Sequence, residues 1–296
     1  MTKSPFPQAL PPLAKPTTPQ AILPRGACDT HIHMVAGPAD FPLWDGRVED
    51  PAPGNFDDWI GRLRLHMATL GLARVVAVHS ILYGADNAVT LAAIRCLGPE
   101  VARGIALVPD GADDAVLDDL AVAGVKGVRL NYVHGGILSW EGVKALAPAL
   151  AERGMHVQIL LNTHRHMLEI SDDIRALPVP VVIDHIGWPD LSLGVDEPGF
   201  QMLRSLLAEA HVWVKLSGAY RLCDAPYERA DAAIRTLVTA NPDQCLWASD
   251  SPHLLLADAT LPDAGDLLNR FLEVVPDQSH QQAIFTDNPA RLYGFS

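Results

Sequence analysis

Residues 125–161 read VKGVRLNYVHGGILSWEGVKALAPALAERGMHVQILL, and this stretch decides the fold that we predict. It opens with an apolar run of strand length at 125–130 and continues, after a loop, with a helical pattern at 140–153. A second apolar run follows at 155–161. Strands that are apolar throughout, rather than alternating, are typical of parallel sheets covered on both faces. The stretch therefore predicts a strand–helix–strand unit with parallel strands.

The same unit recurs along the chain. Strands are predicted at 27–34, 74–79, 104–108, 125–130, 155–161, 179–186, 212–216 and 245–249. Helices are predicted from a cap at Asn55 or Asp57 to about residue 70, and at 86–97, 113–123, 140–153, 164–177, 198–210 and 227–240, with further helices after the last strand. Eight such repeats predict an α/β fold of the (β/α)8 barrel type. A doubly wound sheet is the alternative, but no Gly-x-Gly-x-x-Gly turn follows any strand.

Residues 1–24 differ from the rest of the chain because they contain seven prolines. Such a segment forms an extended arm that is either disordered or laid on a surface. We therefore divide the chain into an N-terminal arm, 1–24, and a single barrel domain, 25–296.

Composition limits the functions that we consider. The net charge of −13 argues against a nucleic-acid partner, because no basic surface is available to neutralise phosphates. It does not exclude a small anionic substrate, which a few local arginines can bind. The four cysteines are scattered, and neither a signal peptide nor an apolar run of membrane-spanning length is recognised. We expect a cytoplasmic protein without a membrane partner.

Active sites of (β/α)8 barrels lie at the carboxyl ends of the strands, so polar residues at those positions are the candidates. They are His31, His33, His79, Ser80, Arg129, Asn131, His156, Gln158, Asp184, His185, Ser217, Tyr220, Arg221, Asp250 and His253. A single polar residue at a strand end is more often structural than catalytic. We favour that interpretation for His79, His156 and Asp184, and we expect His134, His164, His166 and His211 at solvated positions.

Four of the candidates carry more weight because the barrel would bring them together. These are His31, His33, His185 and Asp250. Imidazoles and a carboxylate can bind zinc, which lowers the pKa of its bound water to about 7. Alternatively, the histidines can polarise a carbonyl while Asp250 deprotonates a water directly. The residues alone leave both chemistries open.

At these positions the sequence resembles the amidohydrolase superfamily. DTHIH at 29–33 resembles its first-strand signature, and WASDSPH at 247–253 resembles its last-strand signature. VIDHIG at 182–187 and KLSG at 215–218, with Arg221, resemble the branch of 2-pyrone-4,6-dicarboxylate lactonases, other dicarboxylate lactonases and aldarolactone isomerases.

The resemblance implies a distorted barrel with chemistry at a lactone carbonyl. Asp250 is then the general base. His31, His33 and His185 polarise the carbonyl or lactone oxygen, and Arg129 and Arg221 match positions that bind substrate carboxylate.

Two departures from the superfamily pattern favour a site without a metal cofactor. Arg129 ends the fourth strand, where metal-dependent members often have a carboxylated lysine, and Lys126 lies too early in that strand to replace it. Gln158 stands where a ligand histidine is expected, although His156 is close. Zinc on His31, His33, His185 and Asp250 stays the alternative.

The predicted substrate is a lactone with at least one carboxylate. Gly135, Trp188 and Leu255 stand where the pyrone-dicarboxylate enzyme has basic or amide side chains, so one carboxylate and several hydroxyls fit this chain better than two carboxylates. Sugar-acid lactones of the galactarolactone type are therefore the preferred substrate candidates. The residues assigned to substrate binding are Arg129, Arg221, Ser80, Tyr83, Asn87, Asn131, Gln158, Tyr220 and His253.

Hydrolysis by a metal-independent lactonase is the leading activity. The first alternative is an isomerase that interconverts 1,5- and 1,4-lactones, in which Asp250 deprotonates a substrate hydroxyl instead of water. A zinc-dependent hydrolase or decarboxylase and an inactive barrel that serves as a binding protein are further alternatives. The sequence leaves the oligomeric state open.

Overall fold

The computed structural model describes residues 4–210, 212–256 and 259–296, and these form a (β/α)8 barrel. All eight strands are parallel and follow chain order around one sheet. The strands are β1 (Cys28–Ile32), β2 (Arg74–Val78), β3 (Ala102–Ala106), β4 (Val125–Asn131), β5 (His156–Leu160), β6 (Val181–Ile183), β7 (Val212–Leu216) and β8 (Cys245–Trp247). The predicted fold class is confirmed.

Helices lie between successive strands and after the last strand. They are α1 (Phe56–Leu70), α2 (Ala88–Leu97), α3 (Asp114–Val122), α4 (Trp140–Glu152), α5 (Leu168–Ala176), α6 (Pro198–Ala208), α7 (Ala219–Leu222), α8 (Asp231–Ala240), α9 (Ala264–Val274), α10 (Gln278–Gln282) and α11 (Asn288–Tyr293). A large apolar core fills the space between these helices and the sheet. No helix in the described part of the chain is long and apolar enough to cross a membrane.

Local signals fix the ends of α1 as predicted. Asn55 is the N-cap, and its side chain accepts a hydrogen bond from the Asp58 N–H while the Asp58 side chain binds back to the Asn55 N–H. Gly71 ends the helix in the left-handed conformation, with φ of 75°. Strand ends are less well predicted. The run at 179–186 yields only three strand residues, because the backbone turns into a short 3₁₀ turn at His185–Gly187.

The barrel closes between β1 and the segment that follows β8. The Asp250 N–H donates to the His31 carbonyl (3.0 Å), and the His33 N–H donates to the Ser251 carbonyl (2.7 Å). The Asp29 carboxylate also accepts hydrogen bonds from the Ser249 N–H and hydroxyl. This closure places Asp250 directly beside His31 of β1 and His33, which follows that strand.

Polar side chains occupy part of the barrel interior, where apolar layers are usual. His31, Gln158, Asp184 and Lys215 are all fully buried. Buried charges are tolerated when they are paired and hydrogen-bonded. The interior therefore holds a polar network that we describe with the site below.

The arm lies along the barrel surface over residues 4–24, which is one of the two possibilities that its composition left open. The backbone N–H and the hydroxyl of Thr17 both donate to Asp263, the N-cap of α9. The Gln20 N–H donates to the side-chain oxygen of Asn269 within α9. The Ala9 N–H donates to the Asp50 carbonyl.

Candidate active site

A cavity of about 90 Å³ opens at the carboxyl ends of the strands, and we call it the central cavity. It lies where active sites of this fold are found. Its charged and polar lining side chains are His33, Ser80, Arg129, Asn131, His134, His185, Arg221 and Asp250. The structure therefore brings together residues of β4 and of the segments that follow β1, β2, β4, β6, β7 and β8.

Asp250 is the most heavily contacted polar group in this cavity, and its two carboxylate oxygens differ sharply. Oδ2 accepts hydrogen bonds from the Tyr220 hydroxyl (2.6 Å) and from Nη2 and Nε of Arg221 (2.9 and 3.1 Å). Oδ1 accepts no hydrogen bond from any described residue, although Nε2 of His33 lies 3.3 Å away and Nε2 of His31 lies 3.6 Å away. One oxygen is anchored by three hydrogen bonds, and the other has none from the described residues.

The charge state of Asp250 follows from its neighbours. Burial raises the pKa of this carboxyl, but the surrounding side chains, His185 and Arg221 first and His33 with them, together hold the pKa well below its usual range. Burial and the adjacent Asp250 charge raise the pKa of the Tyr220 hydroxyl well above its ordinary value. Asp250 is therefore ionised near neutral pH, and Tyr220 is a neutral hydrogen-bond donor to it.

The two cavity histidines have different hydrogen-bonding capacity. Nδ1 of His33 lies 2.8 Å from the Val78 carbonyl, and a carbonyl oxygen only accepts, so Nδ1 carries a proton, while Nε2 faces Oδ1 of Asp250 at 3.3 Å. Nδ1 of His185 contacts the Ser217 hydroxyl (2.9 Å), which can donate, so Nε2 of His185 can carry a proton toward the cavity. Burial lowers the pKa of His185 to about 4, so the ring is a neutral donor near pH 7.

The backbone around His185 is shaped to hold this ring. His185 itself has φ of 53°, in the left-handed region. Gly218, with φ of 72°, lies against the ring, and a Cβ atom there would come within 2.8 Å of the His185 side chain. Position 218 therefore needs glycine both for its positive φ and for its closeness to the His185 side chain. A larger residue would displace His185 from the cavity wall.

His31 lies beneath Asp250 rather than on the cavity wall, and we call the residues around it the interior network: His31, Gln158, Asp184 and Lys215. Nδ1 of His31 lies 3.3 Å from Oδ1 of Asp184 and 3.5 Å from Nζ of Lys215. Lys215 donates to Oε1 of Gln158 (2.7 Å), and Nε2 of Gln158 donates to Oδ2 of Asp184 (2.9 Å). Burial lowers the pKa of Lys215 to about 8.

The two arginines of the cavity are not equivalent. Arg221 binds Asp250 and also donates to the Leu254 and Leu255 carbonyls. Arg129 donates from Nη1 to the His79 carbonyl (2.9 Å), and no carboxylate of the described residues lies within ion-pair distance of it. Arg129 is therefore the guanidinium that can bind an incoming anion, whereas Arg221 holds the candidate base.

Several residues that we predicted to bind substrate are placed elsewhere. The Tyr83 hydroxyl bonds to both the N–H and the carbonyl of Ala36 (2.7 Å each). The Asn87 side chain bridges to the backbone of Leu107, Gln158 belongs to the interior network, and His253 packs edge-on against Tyr220. These side chains do not line the central cavity, so we do not retain them as substrate contacts. Tyr220 contacts Asp250 instead of the cavity space.

The sequence did not indicate the polar contacts of two residues with His31. It predicts a structural role for Asp184 and includes Lys215 only in a motif, and both contact His31 in the interior network. The signal was present, because Lys215 is a charged residue in the middle of the apolar run at 212–216. The structural interpretation fits His79, whose ring bonds to Thr90 and to the Gly84 carbonyl, and burial lowers its pKa to about 3.

The remaining histidines divide by location. The pKa of His156 is lowered to about 3 by burial, and its ring packs against Tyr293 in the barrel interior. Nδ1 of His164 and of His166 each accept a backbone N–H. His134 is exposed but lines the central cavity, whereas His211 lies outside the described residues.

The residues fit a zinc ion in number but not in charge. Donor atoms of His31, His185 and Asp250 lie within 4.8 Å of one another among the described residues, and His33 is not part of that set. Three protein ligands are usual for catalytic zinc. However, Arg221 and Tyr220 occupy one oxygen of Asp250, Lys215 lies 3.5 Å from His31, and Arg129 lines the same cavity. The positive charges of Arg221, Lys215 and Arg129 would repel a divalent cation.

Comparison with known proteins gives a consistent result. The family described as Amidohydrolase matches residues 28–295. A solved structure of a protein from Agrobacterium tumefaciens, 24% identical, superposes with a TM-score of 0.80 and covers 96% of this chain and 99% of that one. At that identity the likeness supports the fold alone.

Three curated relatives cover nearly the whole chain. It is 34% identical to a 2-pyrone-4,6-dicarboxylate hydrolase of Comamonas testosteroni, over 95% of this chain and 94% of the relative. It is 35% identical to a 4-sulfomuconolactone hydrolase of Rhizobium radiobacter, over 92% of this chain and 91% of the relative. It is 25% identical to a D-galactarolactone isomerase of Agrobacterium fabrum, over 95% of each.

Proposed function

The chain belongs to the amidohydrolase family, and from this premise we propose that it is a metal-independent lactonase with Asp250 as the general base. Its substrate is a small lactone that carries a carboxylate. The relatives that share about a third of its residues are hydrolases of such lactones. The observation that carries the proposal is the unbonded Oδ1 of Asp250, which is buried beside the central cavity and fixed in place through Oδ2.

Substrate binding begins at Arg129. A planar guanidinium binds a carboxylate with two parallel hydrogen bonds, and only Nη1 of Arg129 is engaged with the backbone. The lactone carbonyl then lies toward His185, whose Nε2–H is a neutral donor. A neutral donor polarises the carbonyl and stabilises the oxyanion that forms on attack.

Asp250 activates the water. Oδ1 takes a proton from the water as its oxygen attacks the carbonyl carbon, and a tetrahedral intermediate forms. Nε2 of His33 and Nε2 of His31 lie 3.3 Å and 3.6 Å from Oδ1, next to the position of the acid proton. The intermediate then collapses, the ring C–O bond breaks, and the proton returns from Oδ1 to the leaving alkoxide. The product is the open hydroxy acid.

The low pKa of Asp250 is compatible with this role because binding changes its surroundings. A substrate carboxylate on Arg129 places a negative charge in the same cavity and expels water from it. Both effects favour the protonated form of Asp250 and so make the carboxylate a stronger base in the complex.

The activity test is incubation of the purified protein with carboxylate-bearing lactones in water enriched in oxygen-18, followed by proton NMR and mass spectrometry. We expect an open hydroxy acid with one oxygen-18 atom in its new carboxylate. Absence of ring opening across unsaturated and sugar-acid lactones would contradict the proposal.

Isomerisation is the alternative that the same experiment separates. The same groups could transfer the acyl carbon to a substrate hydroxyl, which gives a new lactone without oxygen-18. The lower identity to the isomerase, 25% against 34–35% for the hydrolases, favours hydrolysis.

Metal independence has its own test. Elemental analysis of the purified active protein is expected to give well below one zinc per chain, and prolonged chelation is expected to leave the rate unchanged. Stoichiometric zinc, with activity lost on chelation and restored by zinc, would assign the metal to His31, His185 and Asp250 instead.

A further inference from the structure

The segment that follows β8 and lines the central cavity has a strained backbone. Asp250, His253 and Leu255 all have positive φ, at 64°, 67° and 55°. Residues other than glycine rarely adopt this left-handed region, and a bulky residue such as leucine does so only where its surroundings hold it there. Leu254 and Leu255 both line the cavity. The contacts that hold Leu255 therefore also shape the site.

Leu255 is held by a side chain that lies more than two hundred residues earlier in the chain. Oε1 of Glu49, in the loop between β1 and α1, accepts a hydrogen bond from the Leu255 N–H (2.7 Å). Glu49 is half-buried and lies outside the described lining of the central cavity. It therefore does not touch a substrate that is bound in that cavity.

The loop that carries Glu49 is itself fastened to the N-terminal arm. The Asp50 N–H donates to the Pro7 carbonyl (2.7 Å), and the Ala9 N–H donates to the Asp50 carbonyl (2.8 Å). Within the loop, Nε of Arg47 donates to Oδ1 of Asp50 (2.7 Å). This pairing restrains the backbone from which the Glu49 side chain extends.

The segment that Glu49 holds also binds the arginine that anchors the candidate base. Nη2 of Arg221 donates to the Leu254 carbonyl (2.9 Å), and Nη1 donates to the Leu255 carbonyl (3.3 Å). The same guanidinium donates from Nη2 and Nε to Oδ2 of Asp250. A guanidinium is planar and rigid, so the positions of the two carbonyls fix the direction in which Arg221 meets Asp250.

We propose that Glu49 is a positioning residue for Asp250. It fixes the two carbonyls that orient Arg221, and Arg221 in turn holds Oδ2 of Asp250 in place. This inference rests on the proposed lactonase activity and adds to it a residue outside the cavity. Loss of the Glu49 contact disturbs the base rather than the carboxylate site at Arg129, so kcat falls while KM changes little.

Two properties of Glu49 reach Arg221, and variants separate them. One is the hydrogen bond through Leu255, and the other is charge. Burial raises the pKa of the Glu49 carboxyl, and the Leu255 N–H and the Arg221 charge both oppose this rise. Glu49→Gln keeps the acceptor without the charge. Glu49→Asp keeps the charge on a side chain too short to reach the Leu255 N–H, and Glu49→Ala removes both.

The kinetic test uses a lactone that the wild-type protein opens. We expect kcat to fall about tenfold in Glu49→Ala and about threefold or more in Glu49→Asp, with KM within about twofold of wild type, because a displaced base attacks less often in the right geometry. Glu49→Gln is expected to keep about half or more of the wild-type kcat. An unchanged kcat in Glu49→Ala, or equal losses in Glu49→Gln and Glu49→Ala, would overturn the inference.

Glu197→Ala is the matched control. Glu197 is half-buried like Glu49, and its carboxylate accepts from the Gly199 and Phe200 N–H groups (2.8 and 2.7 Å) at the start of α6, outside the described cavity lining. Its loss is expected to lower the midpoint of thermal unfolding and to leave kcat and KM at wild-type values. A fall in kcat as large as that of Glu49→Ala would mean that general destabilisation is the cause and would overturn the inference.

A spectroscopic signature tests the same inference without turnover. The nitrogen-15 NMR signal of the Arg221 Nε–H group, identified by its loss in Arg221→Lys, reports the hydrogen bond to Asp250. We expect this signal to shift in Glu49→Ala and Glu49→Asp and to keep its position in Glu49→Gln and in the control. An unmoved signal in Glu49→Ala would overturn the inference whatever the activity. A wild-type protein that opens no lactone would contradict the lactonase proposal, and the NMR comparison would still decide the role of Glu49.

Discussion

Two buried aspartates lie on opposite sides of His31, and they differ in what they can reach. Asp184 lies 3.3 Å from Nδ1 of His31, and Asp250 lies 3.6 Å from Nε2 of the same ring. Both are fully buried, and neighbouring positive groups hold the pKa of each carboxyl well below its usual range despite burial. By burial and charge state the two residues are indistinguishable.

Their surroundings separate them. Asp184 is enclosed in the interior network with Lys215 and Gln158, and it does not line the central cavity. In each carboxylate Oδ1 has no hydrogen bond from the described residues, but of the two only Asp250 lines that cavity. A lowered carboxyl pKa therefore indicates only that the residue belongs to a charged network. A position in the cavity lining is the further property that allows a residue to contact substrate.

The largest expected effect is the loss of catalytic activity when Asp250, but not Asp184, is regarded as the base and is replaced. Asp250→Asn keeps the shape of the side chain but removes the base, so kcat is expected to fall by about 10²–10⁴-fold while substrate still binds. Arg221 keeps its bonds to two backbone carbonyls in this variant, which limits the structural cost. Steady-state kinetics and isothermal titration with substrate measure the two quantities.

Asp119→Asn is the matched control, because Asp119 is exposed on α3. It is expected to behave as wild type. If Asp250→Asn retained more than about a tenth of the wild-type kcat, Asp250 would lose the role of base.

The next effect concerns stability. Asp184→Asn leaves Lys215 buried without its carboxylate, so the free energy of unfolding is expected to fall by about 3–5 kcal/mol. The double variant Asp184→Asn/Lys215→Met removes both charges and is expected to recover much of that loss. Urea denaturation followed by circular dichroism measures the three free energies. Equal destabilisation in the single and double variants would mean that the pair is not coupled.

The barrel was predictable from the sequence because its signal is repeated. Each apolar strand and the helix after it predict the same unit, so eight weak signals support one topology. The capped helix α1 was also predictable, since Asn55 and Gly71 act within a single turn of chain. The ends of the strands were not predictable in the same way. The turn at His185, for example, depends on packing against Gly218, which lies more than thirty residues later in the chain.

The candidate site was predictable in position but not in connectivity. Topology alone places His33, Arg129, His185 and Asp250 at one end of the barrel. Which donor binds which acceptor depends on side-chain geometry across strands, such as Arg221 reaching Asp250 rather than the cavity space. For the same reason, nothing in the sequence around Tyr83 or Asn87 indicates that both bind backbone groups.

Tyr220 tests the anchored oxygen of Asp250 with a smaller effect. Its hydroxyl donates to the charged form of Asp250, so Tyr220→Phe removes a stabiliser of the carboxylate and raises the pKa of Asp250. Activity needs the ionised base, so the acid limb of the kcat/KM profile is expected to move to higher pH. Stability is expected to fall by about 1.5 kcal/mol, as for loss of a hydrogen bond to a charged group. An unmoved acid limb would separate Tyr220 from the base.

The smallest effect comes from the matched tyrosine, Tyr83, whose hydroxyl is as deeply engaged but binds only the backbone of Ala36. Tyr83→Phe removes hydrogen bonds to a buried peptide group and is expected to lower the free energy of unfolding by about 1 kcal/mol. Because Tyr83 contacts neither Asp250 nor the central cavity, kcat and the acid limb are expected to match wild type. Urea denaturation and a pH–rate profile give the two readings. A large fall in kcat/KM for the lactone would return Tyr83 to the substrate site, and with it the hydroxylated substrates that its predicted role implied.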